Sequence, residues 1–224
     1  MEKESIRLKR IASYVRDDSV VLDVGTDHGI IPIYLYEQNP KRKIIATDIS
    51  KKSLAKLDAK IRENSYPIKT LVTDGLNGLE NIGAEDIVIS GMGGDLIVRI
   101  LSKDLDIAKK SRLILSPQSA IIKVREFLIK NGFEILIEDL LEEGGHYYPI
   151  ISAEYKGKKQ DYSALEYRYG KLENHVNKPC LLKKLNEEIS KNEKICQIMG
   201  NSPRQNARKK ALNLENMGLR ELKS

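Results

Sequence analysis

The feature that most limits the fold is an alternation. Over the first 155 residues, short runs rich in β-branched residues and bounded by Gly, Pro, Asp or Asn take turns with stretches of helical periodicity. The runs are "VVLDV" (20–24), "KIIATDI" (43–49), "KTLVTD" (69–74), "DIVISGM" (86–92), "SRLILS" (111–116), "EILIEDLLEE" (134–143) and "YYPIISAEY" (147–155), and each predicts a strand. Helices are predicted at 51–64, 96–101 and 121–131, the last ending in the stop signal "NGF". Strands separated by helices pair in parallel, with both faces of the sheet covered. The final two runs are joined only through "EEGGH", too short for a crossover helix, so that pair is antiparallel. The expectation is an α/β sheet, parallel in the main and closed by an antiparallel hairpin.

After the Lys-rich linker 156–160 the pattern is helical only. Leu165, Tyr169, Leu172 and Val176 predict a helix over 162–176, and Pro179 opens the first turn of the next. Leu182, Leu185, Ile189, Asn192, Cys196 and Met199 then form a heptad seam with one polar position. "GNSP" (200–203) breaks the chain and offers Ser202 as an N-cap for a third helix, with Ala207, Ala211, Leu214 and Met217 facing inward. The domains expected are 1–158, and 159–224 as a coiled-coil-like helical hairpin.

Charge divides the chain at the same place. Residues 155–224 carry 16 Lys and Arg against 8 Asp and Glu, a net of +8 in a chain whose total is +6, so the first 154 carry −2. A basic segment of this size points to a polyanion partner. No run approaches the roughly 18–20 apolar residues needed to span a bilayer, and "MEKESIRLKR" lacks a signal-peptide apolar core, so no membrane association is expected. Two cysteines, Cys180 and Cys196, fit a reducing cytoplasm and form no metal-ligand cluster; no metal and no cysteine nucleophile are expected.

The stretch "VVLDVGTDHGIIPIYL" (20–35) runs from a strand through a glycine loop into a helix, the way nucleotide cofactors are held. A dinucleotide-binding turn needs G-x-G-x-x-G to bring backbone amides to a pyrophosphate. This loop has Gly25 and Gly29 alone, with Asp27 between them, and a carboxylate there would repel a phosphate. S-adenosylmethionine carries a sulfonium and an ammonium and no phosphate, so an acidic loop suits it. Asp23, at the strand end, and carbonyls near Gly25 suit the ammonium. Asp48 closes the second strand, where an acid accepts both ribose hydroxyls. Asp74, ending the third, suits the adenine amine, and "SGMGG" (90–94) follows the fourth, where such folds place the reacting centre. Together with the sheet, these strand ends outline a Rossmann-like class I methyltransferase domain.

With these motifs in place, the chain resembles the TrmK-type tRNA adenine-N1 methyltransferases. The resemblance rests on "SIRLKRIASYV" (5–15), "LDVGTDHGIIPIYL" (22–35), "ATDIS" (46–50), "TDGL" (73–76), "ISGMGGDLI" (89–97), "YYPIISAEY" (147–155) and "YGKLENHVNKP" (169–179), nearly the whole chain. It implies a Rossmann-like catalytic domain with a coiled-coil tail, and methylation of N1 of an adenine in the D-arm region of bacterial tRNA. Cofactor contacts from Thr26, His28, Gly29, Ile49, Gly75, Gly91, Met92 and Gly93 are expected on the same motifs. Where the family more often shows Gln-Pro-Asn or similar after strand five, this chain has Ser116-Pro117-Gln118.

Adenine N1 has a free lone pair, so alignment is most of the catalytic task. Positive charge then spreads onto the exocyclic amine, and an acceptor there stabilises the transition state. Asp27, Asp95 and Gln118 are the side-chain candidates, with carbonyls around Gly91 and Met92 as a neutral alternative. The expected RNA contacts are Lys183, Lys184, Lys191, Lys194, Arg204, Arg208, Lys209 and Lys210 in the tail, extended near the amino end by Arg7, Lys9 and Arg10. A monomer is expected. The competing readings are a class I methyltransferase acting on a small molecule or protein with a dimerising tail, a non-catalytic RNA-binding protein, and, weakest, an NAD-linked oxidoreductase.

Overall fold

The computed structural model describes residues 5–26 and 28–223. The chain forms two compact units, one reaching to Gln160 and the other beginning at Asp161.

In the first unit the elements run α1 (Ile6–Ala12), β1 (Val21–Val24), α2 (Ile30–Gln38), β2 (Ile44–Asp48), α3 (Lys51–Asn64), β3 (Lys69–Val72), β4 (Asp86–Ser90), α4 (Gly94–Lys103), α5 (Leu105–Ala108), β5 (Arg112–Ser116), α6 (Ile121–Lys130), β6 (Phe133–Glu143) and β7 (His146–Tyr155). Among the described residues seven strands make one sheet, in the order β3-β2-β1-β4-β5-β7-β6. β1 pairs in parallel with β2 on one side and β4 on the other, and only β7 enters antiparallel, against β5 and β6. All four residues of β1 are buried, as a central strand covered on both faces requires.

Local chemistry explains where the elements start. The Ser50 hydroxyl accepts from the Ser53 amide at 3.3 Å and opens α3, whose Leu54 and Leu57 face the core. β4 stops at Ser90 because Gly91 takes φ +76°, two residues short of the run that the sequence predicts as strand.

Two ion pairs built on buried carboxylates fasten this unit. Asp86, fully buried at the start of β4, accepts from the backbone and guanidinium of Arg16 at 2.6–2.9 Å and from the Ser19 hydroxyl at 2.7 Å. Arg125 of α6 meets Glu138 of β6 at 2.6 Å, with both side chains almost wholly buried.

The second unit holds α7 (Ala164–Tyr169), a 3-10 turn (Leu172–Asn174), α8 (Lys178–Ile198) and α9 (Pro203–Leu222). Here two expectations are corrected. The helix predicted over 162–176 ends at Tyr169, because Gly170 adopts φ 86° and ψ 168°, outside any helix. The inward faces also differ. In α8 the buried side chains are Leu181, Leu185 and Ile189, so the seam begins at Leu181 rather than Leu182. In α9 they are Asn216 and Leu219, whereas Leu214 and Met217 are more than half exposed and Ala207 and Ala211 are exposed.

A polar pair accounts for the α9 face. The Asn192 amide donates to the Asn216 carbonyl oxygen at 2.9 Å, and this pairing turns Asn216 inward. Arg220–Glu193 and Lys223–Asn186 contacts run antiparallel along the same hairpin. At the base of α7, Arg168 bridges Glu188 and Glu215.

Breaking the Arg125–Glu138 pair leaves one charge buried alone. Arg125→Ala should destabilise the protein by about 3–5 kcal/mol in denaturant unfolding. The double replacement Arg125→Met with Glu138→Leu should recover most of that loss.

Candidate active site

The sheet reverses its winding between β1 and β4, and a crevice opens there outside the carboxyl ends of the strands. A cavity of about 330 Å³ lies at this point, between the loop after β1 and the loop after β4. Asp23, Gly25, Thr26, His28 and Gly29 line it from the first loop, and Ser90, Gly91 and Met92 from the second. Gln118, from the turn after β5, and Arg7 and Leu8, from α1, complete its wall. A smaller cavity of about 110 Å³ continues towards β3 and is lined by Asp48, Ile49, Thr73, Asp74 and Gly75. Gly25 and Met92 border both cavities.

The backbone holds these loops tightly. The amides of Gly25 and Thr26 both donate to the Thr47 carbonyl, at 2.7 and 3.0 Å, which ties the first loop to the end of β2. Gly25 takes φ +78°, and a Cβ there would fall 1.9 Å from the Met92 Sδ-methyl, so the absence of a side chain lets Met92 lie across the loop. On the other side, Gly94 donates to the Ser119 carbonyl at 2.9 Å and the Gln118 amide donates to the Met92 carbonyl at 2.9 Å. A Cβ on Gly94 would meet the Ser119 carbonyl oxygen at 2.6 Å, so "GMGG" and "SPQSA" close on each other because Gly94 is bare. The Ser116-Pro117-Gln118 run therefore delivers Gln118 to the cavity.

Two charged groups in this cavity have unusual settings. Asp23 is buried, and burial raises its carboxyl to a pKa of about 6, with the Asp48 carboxylate adding to the rise and the Thr26 hydroxyl opposing it. Arg7 lays its guanidinium 4.7 Å from the centre of the Tyr148 ring. Its Nη1 is buried and has no hydrogen-bond partner among the described residues.

The remaining residues singled out in the sequence fall as follows. Asp48 accepts from the Ser50 amide at 2.7 Å, and Ile49 beside it is 70% exposed. Asp74 pairs with Lys103 at 3.3 Å. Gly93 is the N-cap of α4. Asp95 stands on the outer side of α4, two-thirds exposed and bonded to Lys123 at 2.6 Å, and borders neither cavity. Asp27 lies outside the described residues. On α1, Arg10 is bound to the buried Asp139 at 2.6 Å and Lys9 sits 5.5 Å from the Tyr34 ring centre, so of the three basic residues Arg7 is the one that reaches the cavity. In the second unit Lys183, Lys191 and Lys194 share one face of α8, beside the partly exposed Lys184. Arg204, Arg208 and Lys210 are exposed on α9, and Lys209 contacts Asn201 at 3.3 Å. Among the described residues no helix is long and apolar enough to cross a membrane.

The Asp23 setting has a measurable consequence. Its folded-state pKa lies above the unfolded value of about 4, so the folded protein holds this proton longer and stability falls as pH rises from about 4 to about 6, by about 3 kcal/mol. Unfolding free energies of wild type and Asp23→Asn should therefore diverge across that window, with the variant lacking the fall and the difference constant above it.

The comparisons with known proteins agree with this geometry. A family model described as a methyltransferase domain matches residues 4–151. The tRNA (adenine(22)-N(1))-methyltransferase of Bacillus subtilis is 32% identical over 174 residues, covering 76% of this chain and 73% of that protein. The crystal structure of the B. subtilis m1A22 tRNA methyltransferase TrmK aligns over 100% of both chains, with 26% identity and a TM-score of 0.77. A Streptococcus pneumoniae structure solved in complex with S-adenosyl-L-methionine aligns with 28% identity and a TM-score of 0.80, covering 98% of this chain and 99% of that one. The chain belongs to the methyltransferase-domain family and, within it, to the TrmK-type tRNA (adenine-N1)-methyltransferases.

Proposed function

We propose that this protein is an S-adenosylmethionine-dependent methyltransferase that modifies N1 of adenine 22 in bacterial tRNA, the position named for its B. subtilis relative. The observation that carries the proposal is the pair of joined cavities at the β1/β4 reversal, with one carboxylate-bearing strand end after another along them.

The residues present fit the cofactor. Asp23, buried beside a bare Gly25, suits the ammonium of the methionine end. Asp48 suits the ribose hydroxyls, Asp74 with Gly75 the adenine edge, and the exposed side chain of Ile49 a face of the adenine ring. Thr26, His28 and Gly29 on one side and Gly91 and Met92 on the other frame the methionine end and the reacting centre, with Gly93 next to them at the start of α4. When bound, S-adenosylmethionine supplies a methyl group on a sulfonium. Everything else falls to the chain itself. The cavity walls hold the target base with N1 aligned and exclude water. An acceptor at the exocyclic amine takes up the positive charge that develops there. Gln118, which lines the cavity, is the neutral acceptor that the geometry favours; Asp27, between the lining residues Thr26 and His28, is the acidic one. Asp95, paired with Lys123 on the outer face of α4, is a third candidate and a weaker one. No strong base is needed to start the attack, because N1 is unprotonated at neutral pH.

A base methylated at N1 cannot be paired through its Watson–Crick edge, and it must be extruded or met unpaired, at a cost of a few kcal/mol. Phosphate contacts from the basic faces of α8 and α9 offset that cost and read tRNA shape rather than sequence. The apolar seam of α8 is covered by α9 of the same chain, which supports a monomer, and a tRNA substrate supports a cytoplasmic setting.

Methyl transfer from labelled S-adenosylmethionine to unmodified bacterial tRNA, read by nucleoside mass spectrometry, should yield 1-methyladenosine. Asp27→Ala and Gln118→Ala should each lower kcat by about 10- to 1,000-fold while cofactor binding persists. No transfer to any tRNA, with tight cofactor binding, would move a small-molecule or protein substrate to first place. Charge reversal of Arg208, Lys209 and Lys210 together should weaken tRNA binding about 10-fold or more at low salt and leave cofactor binding unchanged. Unaltered tRNA affinity would remove the tail from this reading.

A further inference from the structure

Past the end of β5 at Ser116, the β6–β7 hairpin goes on pairing from Leu140↔Pro149 to Glu143↔His146. It therefore overhangs the edge where the crevice opens by about 13 Å at the usual rise of a strand. Gly144 and Gly145 make the turn at φ +59° and +78°, and a Cβ on either would meet nothing within 4 Å, so the tip stands clear. The register gives the hairpin two faces. Asp139 and Glu143 share one with His146 and Tyr148, and there α1 is fastened: Asp139 accepts from Arg10 and Tyr14, and Glu143 from the Ser5 hydroxyl and the Arg7 amide. Glu138 and Glu142 share the other with Tyr147, and there Arg125 of α6 is bound. Beside the tip lie two exposed apolar side chains, Ile6 at the start of α1 (66% exposed) and Ile122 at the start of α6 (41%). The rim so formed adjoins the cavity on both faces, through Arg7, which stacks on Tyr148, and through Gln118, just ahead of α6.

We infer that this hairpin tip, with Ile6 and Ile122 beside it, is a base-contacting rim that stacks unpaired tRNA nucleotides next to the target adenine, with Tyr147 as the principal ring. This rests on the functional reading above and deepens it. Charge decides which part of an RNA the rim can meet. From Phe133 to Tyr155 the chain has six Asp and Glu and no Lys or Arg, so it repels phosphates and is approached through bases. Aromatic and apolar side chains suit the faces of unstacked bases, and exposed apolar surface beside a cavity marks an interaction site. Extruding the target adenine uncovers its neighbours in the strand, and a rim at the crevice mouth covers them again. The fastening of the hairpin to α1 and α6 holds the tip in place before RNA arrives, which lowers the ordering cost of binding. The basic tail and this rim then divide the substrate, phosphates to one and bases to the other.

Binding of unmodified tRNA over a salt series, by wild type, Tyr147→Ser, Tyr147→Phe and the double variant Ile6→Ser with Ile122→Ser, tests the assignment. Tyr147→Ser should weaken binding about 5- to 100-fold at every salt concentration, with the slope of log affinity against log salt unchanged. Tyr147→Phe keeps the ring and should keep the affinity, and the isoleucine pair should weaken binding by a smaller factor at an unchanged slope. A fully paired RNA duplex should bind wild type and variants alike, and S-adenosylhomocysteine affinity should stay the same throughout. Unchanged tRNA affinity in Tyr147→Ser overturns the inference, as does a loss in Tyr147→Phe as large as in Tyr147→Ser. A shallower salt slope overturns it in favour of a phosphate contact, and a parallel loss of S-adenosylhomocysteine binding in favour of a role in the cofactor cavity. Melting curves show whether Tyr147→Ser folds; if it does not, the isoleucine pair, exposed in the folded protein, decides by the same criteria. Wild type that neither binds nor methylates tRNA overturns the tRNA reading itself, and weakened methylation of a protein substrate by these variants would then give the rim to a protein.

Discussion

The parallel pairing of β1 with β2 on one side and β4 on the other is the constraint on which the rest depends. Crossover connections between parallel strands are right-handed, so the chain leaving β1 winds towards β2 and the chain leaving β4 winds towards β5. The two loops diverge, and the gap between them is the crevice. The amino ends of β1 and β4 are set by the Asp86–Arg16–Ser19 cluster, and the first carboxyl-end loop is tied to β2 through the Thr47 carbonyl. Within that frame the distances that matter are fixed by bare backbone: Gly25 under Met92, and Gly94 against Ser119.

Electrostatics inside the crevice follow from its burial. Burial raises the carboxyl of Asp23, at the floor, towards neutrality. A guanidinium in the wall, Arg7, lies against the Tyr148 ring and keeps one nitrogen buried. The charge of the tail acts differently: its lysines and arginines stand in water, their action reaches about a Debye length, and salt screens it. The chain thus carries two kinds of charge, a few buried groups in the crevice and many exposed ones along the tail.

Where an element's cause is local, it could be read from the chain. The helix Lys51–Asn64 carries its own N-cap in Ser50 and its core contacts in Leu54 and Leu57, and it lies where the spacing predicts. The β6–β7 hairpin follows from a connection too short to cross over. The helix over 162–176 could not be read correctly, because Leu165, Tyr169, Leu172 and Val176 keep helical spacing through a glycine whose backbone leaves the helix. Nor could the inward face of α9, where two overlapping stripes compete. The more apolar stripe, with Leu214 and Met217, loses to the one that lets Asn216 meet Asn192.

The same division runs through the site. Gly25, Asp23, Asp48, Asp74 and "GMGG" announce themselves in the sequence, since each sits at a strand end and strand ends of a parallel sheet share one edge. By itself the sequence determined the sheet and its binding edge. Only the tertiary structure decided which distant groups complete the site. Gln118 enters because the bare Gly94 lets the loop after β5 close on "GMGG", and Arg7 because α1 packs against α2. Asp95 ends outside because its helix turns the other face to the core. Periodicity encodes which face of an element is apolar; which partner that face meets depends on contacts across a hundred residues, and no local pattern carries those.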